Sequence, residues 1–80
     1  MERLRAALVE ARKAAGMTQD ELAGKLGIGR RQLIRIERGE SDGSLGLWIR
    51  VKAALDLNSE QLMRCMMTES MQHNIKGGIL

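Results

Sequence analysis

The sequence predicts an all-α fold, a compact bundle of about five short helices. Three observations carry that prediction. Pro, Phe and Tyr are absent, while Ala, Leu, Met, Arg, Lys, Glu and Gln, all good helix formers, dominate. No run alternates apolar and polar residues long enough to make a strand. Apolar residues instead recur at three- and four-residue spacing, and the glycines fall largely between those stretches.

The first helix is expected over residues 2–15. Leu4, Leu8, Ala11 and Ala15 make one apolar stripe, with Glu2, Arg3, Arg5, Glu10, Arg12 and Lys13 mostly on the other faces, and Gly16 follows as a C-cap. Thr18-Gln19-Asp20-Glu21 is a helix start, because Thr18 can cap and Glu21 completes a capping box. That second helix runs over about 18–25 and turns Leu22, Ala23 and Leu26 inward. Gly27-Ile28-Gly29 is a tight turn, followed by a third helix over about 29–38 with Leu33 and Ile36 inward and Gly39 closing it. Gly39 to Gly43 forms a polar loop. Ser44 then caps a fourth helix running through Leu55, with Leu45, Trp48, Val51 and Leu55 inward and Leu47, Ile49 and Ala54 on a second face. Asn58 or Ser59 caps a fifth helix that carries Leu62, Met63, Met66, Met67 and Met71 on one side. From His73 onward no periodicity remains, and a flexible tail is expected.

Composition removes several function classes. Eighty residues make one small domain with little room for a deep cofactor pocket. The one cysteine cannot form an internal disulfide. No apolar stretch approaches the roughly 18 residues of a membrane span, and the charged first residues lack a signal-peptide core. A cytoplasmic protein is expected. Cys65 and His73 supply too few ligands for zinc, and a single histidine leaves no convincing catalytic triad. No catalytic residue, metal or cofactor is therefore expected. Cys65 is read as a packing or surface thiol and Trp48 as core.

Two short helices joined by a glycine turn, the second rich in arginine, form a helix-turn-helix pattern. The net charge is only +3, but residues 28–38 hold four Arg against one Glu, so the remainder of the chain balances. The surplus sits where a helix could enter the DNA major groove and gain affinity by counterion release. Arg30 and Arg31 stand at the start of the third helix and Arg35 one turn further on, and each can bond guanine bidentately.

Met17-Thr18-Gln19-Asp20-Glu21-Leu22-Ala23, Leu26-Gly27-Ile28 and Ile36-Glu37-Arg38-Gly39 together closely resemble the phage-repressor-like (Cro/C1, or xenobiotic-response-element) helix-turn-helix family. Leu55 to Leu62 looks like that family's junction between its fourth and fifth helices. The resemblance spans about residues 3–63. It implies a lambda-repressor-like DNA-binding domain, expected over 1–68, with a C-terminal extension over 69–80 that begins as a helix end. It also implies base contacts from Arg30, Arg31 and Arg35, and a phosphate contact from Gln19. Thr18, Gln32 and Arg38 are further candidates for backbone contacts, and the loop near Ser41–Ser44 for contacts through its N–H groups. Glu37 is read as an ion-pair partner of an arginine on the first helix.

Some positions depart from the family pattern. Gly29 replaces a frequent capping Ser or Thr, Gly43 stands where Pro is frequent, Lys52 takes a usually buried Ala position, and Ile34 a usually polar one. The apolar surplus at Leu47, Ile49, Met63, Met66 and Met67 points to a homodimer interface. The leading expectation is thus a homodimeric repressor, bacterial or phage-encoded, on a palindromic operator in double-stranded DNA. An antitoxin or restriction-modification controller with a protein partner is the alternative, and an interaction adaptor without DNA binding is a third reading.

Overall fold

The computed structural model describes residues 3–69. Among the described residues it contains no strand and five helical elements: α1 (Ala6–Ala14), α2 (Gln19–Leu26), α3 (Arg30–Glu37), α4 (Leu45–Ala54) and α5 (Ser59–Met66). The order and number agree with the sequence reading. The expected flexible tail from His73, and Met71, lie outside the described residues.

Local chemistry sets most helix ends. Thr18 Oγ1 accepts from Glu21 N at 3.1 Å while the Glu21 carboxylate accepts from Thr18 N at 2.8 Å, a reciprocal capping box. These hydrogen bonds, first the one from the Thr18 backbone, hold the Glu21 carboxyl below its ordinary pKa. Asn58 and Gln61 repeat the arrangement at α5, and Ser44 caps α4 by accepting from Leu47 N. Gly29 caps α3 without a side-chain bond, which costs only a few tenths of a kcal/mol against Ser or Thr (~0.3 kcal/mol). Gly27 ends α2 at φ 72°, and Ile28 N donates back to Ala23 O at 3.0 Å. That left-handed residue and returning bond make the tight turn between α2 and α3.

Leu8, Leu22, Leu26, Leu33, Ile36 and Val51 are the fully enclosed side chains. They bring all of α1 to α4 onto one core, with Cys65 joining from α5. Helix α1 packs on α5 and α3, while α2 packs on both α3 and α4. The α2–α3 pair is therefore braced from behind on two sides, and its other side faces outward.

Three expectations need correction. The first helix begins at Ala6, not residue 2, because Arg5 leaves helical geometry (φ −89°, ψ 76°) and its N–H donates to Glu37 O at 2.8 Å. Residues 3–5 instead form a strap lying against the end of α3. The approach is so close that a Cβ at Gly39 would overlap the Arg3 carbonyl. Second, α4 turns Trp48, Val51 and Leu55 inward as expected, but Leu47 takes the inward place expected of Leu45. Leu45 is 75% exposed and Leu47 is buried, since the preceding loop packs onto Leu47 and Trp48. A Cβ at Gly43 would lie 2.8 Å from Leu47 Cδ2 and 3.0 Å from Trp48 Nε1. Third, α5 spans Ser59–Met66 and Met67 is extended, so Met67 leaves the helical row in which it was expected. The inward side of α5 is Leu62, Cys65 and Met66 rather than a methionine row, and Met63 is exposed. Leu47, expected at an interface between two chains, is thus part of the core of one.

Cys65 is a packing thiol. Its Sγ donates to Ala7 O at 3.7 Å, and burial raises its pKa. A thiol that is both enclosed and less ionised reacts slowly. At pH 8 the folded protein should react with Ellman's reagent at least about tenfold more slowly than the protein in guanidinium chloride. Equal rates would mean that Cys65 is accessible.

Candidate nucleic-acid interface

The outward side of the α2–α3 unit is built by helical geometry. On α3, Leu33, Ile36 and Glu37 turn inward, which leaves Arg30, Arg31, Gln32, Arg35 and Arg38 exposed and Ile34 half-buried. Among the described residues, no side-chain ion pair draws Arg31, Arg35 or Arg38 away from this face. The five polar residues do not form one cluster, however. Arg30 lies on the flank towards α2, where with Arg12, Thr18, Gln19 and Asp20 it lines an open cleft of about 390 Å³. Arg31, Gln32 and Arg35 line a second open cleft of the same size on the other flank, closed by Ser41 of the α3–α4 loop. Helix α3 thus stands as a basic ridge between two concavities.

Gln19 is held in place from behind. Arg12 Nε donates to Glu37 Oε2 at 2.7 Å, and Gln19 Nε2 donates to Glu37 Oε1 at 2.9 Å. Arg12 also donates to Met17 O at 3.0 Å. The Arg12–Glu37 pair is almost fully enclosed, with side chains 9% and 4% exposed. Glu37 therefore makes the ion pair expected with an arginine of the first helix, and it fixes the amide of Gln19 at the start of α2 as well. Thr18 is engaged in its capping box at the same end, with its hydroxyl proton still to donate.

Three residues of this region escaped the sequence reading. Asp20 lies 3.9 Å from Arg30 Nε, both well exposed, so the arginine nearest the start of α3 has an acidic neighbour on α2. Arg12 and Arg5 were assigned to outward faces, yet both are buried. Arg12 follows Leu8 by four residues and so shares its side of α1, but nothing near it in the chain shows what its guanidinium meets, and Arg5 stands outside the helical period altogether. Arg5 donates to Ile36 O at 2.7 Å, Ser41 O at 2.8 Å and Met66 O at 2.8 Å, and its guanidinium carbon is 5.2 Å from the centre of the Trp48 ring. Burial lowers its pKa, and the Asp42 carboxylate 3.9 Å away works in the opposite sense.

Among the described residues no group of three His, Cys, Asp or Glu side chains converges. No helix among them is long and apolar enough to cross a membrane.

A short pair of helices meeting at a glycine turn, braced by three more and presenting an arginine ridge, defines a DNA-binding helix-turn-helix domain. The sequence profile of the helix-turn-helix family matches residues 8–62, and the chain belongs to this family, in its Cro/C1 (xenobiotic-response-element) branch. It is also similar to an uncharacterised HTH-type transcriptional regulator of Methanothermobacter thermautotrophicus, at 40% identity over 52 residues that cover 65% of this chain and 75% of the relative.

Proposed function

We propose that the chain is a sequence-specific transcriptional regulator that binds double-stranded DNA as a homodimer and represses by occupying a palindromic operator. The observation that carries the reading is the α3 ridge, with Arg30, Arg31 and Arg35 exposed on it and a concavity on each side. Arg31 and Arg35 then read bases, and Arg30 does so from the flank beside Asp20. Gln19, set by Glu37, and Thr18 bond phosphate at the start of α2, where the helix dipole favours an anion. Gln32 and Arg38 add backbone contacts. The dimer reading rests on exposed apolar side chains: Leu45 and Ile49 one turn apart on α4, and Met63 on α5. A two-fold pair would set two α3 helices about one DNA turn, ~34 Å, apart. The same surface would serve an antitoxin that docks a protein partner, and it is the observation that favours that second reading.

Selection of bound duplexes from a random pool tests the proposal. A palindrome with half-sites 10–10.5 base pairs apart (~34 Å) is expected, and recovery of no enriched sequence would contradict it. On the selected site, Arg31→Ala is expected to weaken binding by about 1–3 kcal/mol, roughly 5- to 150-fold, and to relax preference at one base pair per half-site. Fluorescence anisotropy with single-base variants of the site measures both effects. A loss spread evenly over every sequence would make Arg31 a phosphate contact instead.

A further inference from the structure

Arg5 is the buried side chain that the DNA-binding surface does not account for. It sits behind that surface, 5% exposed, and its guanidinium joins three carbonyls from three separate parts of the chain. Ile36 O belongs to the end of α3, Ser41 O to the loop after it, and Met66 O to the end of α5. The Trp48 ring lies across from the guanidinium, and Trp48 Nε1 itself donates to Asp42 O at 2.9 Å. The loop is thus fixed at two adjacent carbonyls, Ser41 by Arg5 and Asp42 by Trp48. The backbone of Arg5 adds a further tie, donating to Glu37 O.

The consequence concerns the second cleft. One wall is Arg31, Gln32 and Arg35, carried by α3, and the other is Ser41. The carbonyl of Ser41 is turned inward to Arg5, so the position of Ser41 relative to the arginines is set by the same guanidinium that holds Ile36 O. We infer that Arg5 is a positioning residue for DNA binding: by tying the α3–α4 loop to the end of α3, it shapes the cleft between Ser41 and Arg31–Arg35 to take a backbone phosphate. The inference rests on the DNA-binding reading above. A lysine cannot replace Arg5, because one ammonium lacks the planar fork that reaches divergent acceptors at once. Because phosphate contacts carry affinity without sequence information, loosening the cleft should weaken binding to every duplex alike.

The test compares the full chain with its Arg5→Lys variant on the selected site and on a scrambled duplex, from 50 to 200 mM salt. Circular dichroism at the assay temperature establishes that both are folded. The variant is expected to bind both duplexes about tenfold more weakly, with the ratio between them unchanged. Its log–log salt slope should be shallower by about 0.9 for each phosphate that a subunit no longer neutralises. A purely structural role would lower the melting temperature and leave the affinity and slope of the folded variant as in the wild type, and that result would overturn the inference. Should Arg5→Lys not fold, NMR of the wild-type chain decides: the Ser41 and Asp42 amides and the Arg5 Nε–H are expected to shift together on adding DNA. Unchanged loop signals in the complex would overturn the inference. A wild-type chain that binds neither duplex would defeat the DNA-binding reading as well, whereas the other contrary results defeat only the role of Arg5.

Discussion

Glu37→Ala is expected to destabilise the fold by about 3–5 kcal/mol. The carboxylate lies in the core side of α3, with Arg12 on one oxygen and Gln19 on the other. Its removal leaves the Arg12 guanidinium in an enclosed site with only the Met17 carbonyl for company. The cost is that of an uncompensated buried charge, not the net worth of the pair. A domain of this size has roughly 4–12 kcal/mol of stability in total, so the variant should be near the edge of folding at 25 °C. Urea titration should give a much lower midpoint. Replacing both partners with apolar residues, as in Arg12→Met with Glu37→Leu, should recover most of the loss. A single variant within about 0.5 kcal/mol of wild type would mean that Arg12 finds solvent easily. The variant also frees Gln19, so its DNA affinity should fall further than its folded fraction accounts for.

Trp48→Ala is expected to cost a similar amount, about 3–5 kcal/mol. Trp48 is the chain's one aromatic residue, is 3% exposed, and is wedged between the core, the α3–α4 loop and Arg5. Truncation opens a cavity in the core, removes the bond to the Asp42 carbonyl and takes away the ring facing Arg5. Trp48→Phe separates these contributions. It retains most of the volume and loses the Nε1 bond, so about 1–2 kcal/mol is expected. Chemical denaturation followed by circular dichroism compares the two. Equal losses would show that the hydrogen bond to the loop, not ring packing, carries the effect.

The residues that the sequence made legible are those whose partners are close in the chain. Thr18 with Glu21, Asn58 with Gln61 and Ser44 with Leu47 are each three residues apart, and every one of these caps forms. Gly27 likewise ends α2 as a local turn. The Arg-rich face of α3 followed from helical period alone, because Leu33 and Ile36 fix its orientation. What was not legible depends on distant partners. Arg5 bonds carbonyls 31, 36 and 61 residues away, and Arg12 meets Glu37 25 residues away. A long basic side chain reads as surface until such acceptors are known. Helix α4 was ambiguous for another reason. Leu45, Leu47, Trp48, Ile49 and Val51 put apolar groups on nearly every side, so periodicity could not set its phase. The loop at Gly43 does so by packing on Leu47 and Trp48. The division of the α3 face into two flanks was likewise hidden, since it depends on where α2 and the α3–α4 loop come to lie.

The central claim is that the exposed arginines of α3 discriminate between DNA sequences. Its most direct test is the triple variant Arg30→Ala, Arg31→Ala and Arg35→Ala, titrated by anisotropy against the selected duplex and a scrambled one at fixed salt. All three side chains are exposed, so the variant should fold. The wild type is expected to prefer the selected duplex by a factor of at least about 10³, and the folded triple variant to bind both duplexes with nearly equal, weak affinity. A folded triple variant that keeps the wild-type preference would contradict the account and place recognition on another surface.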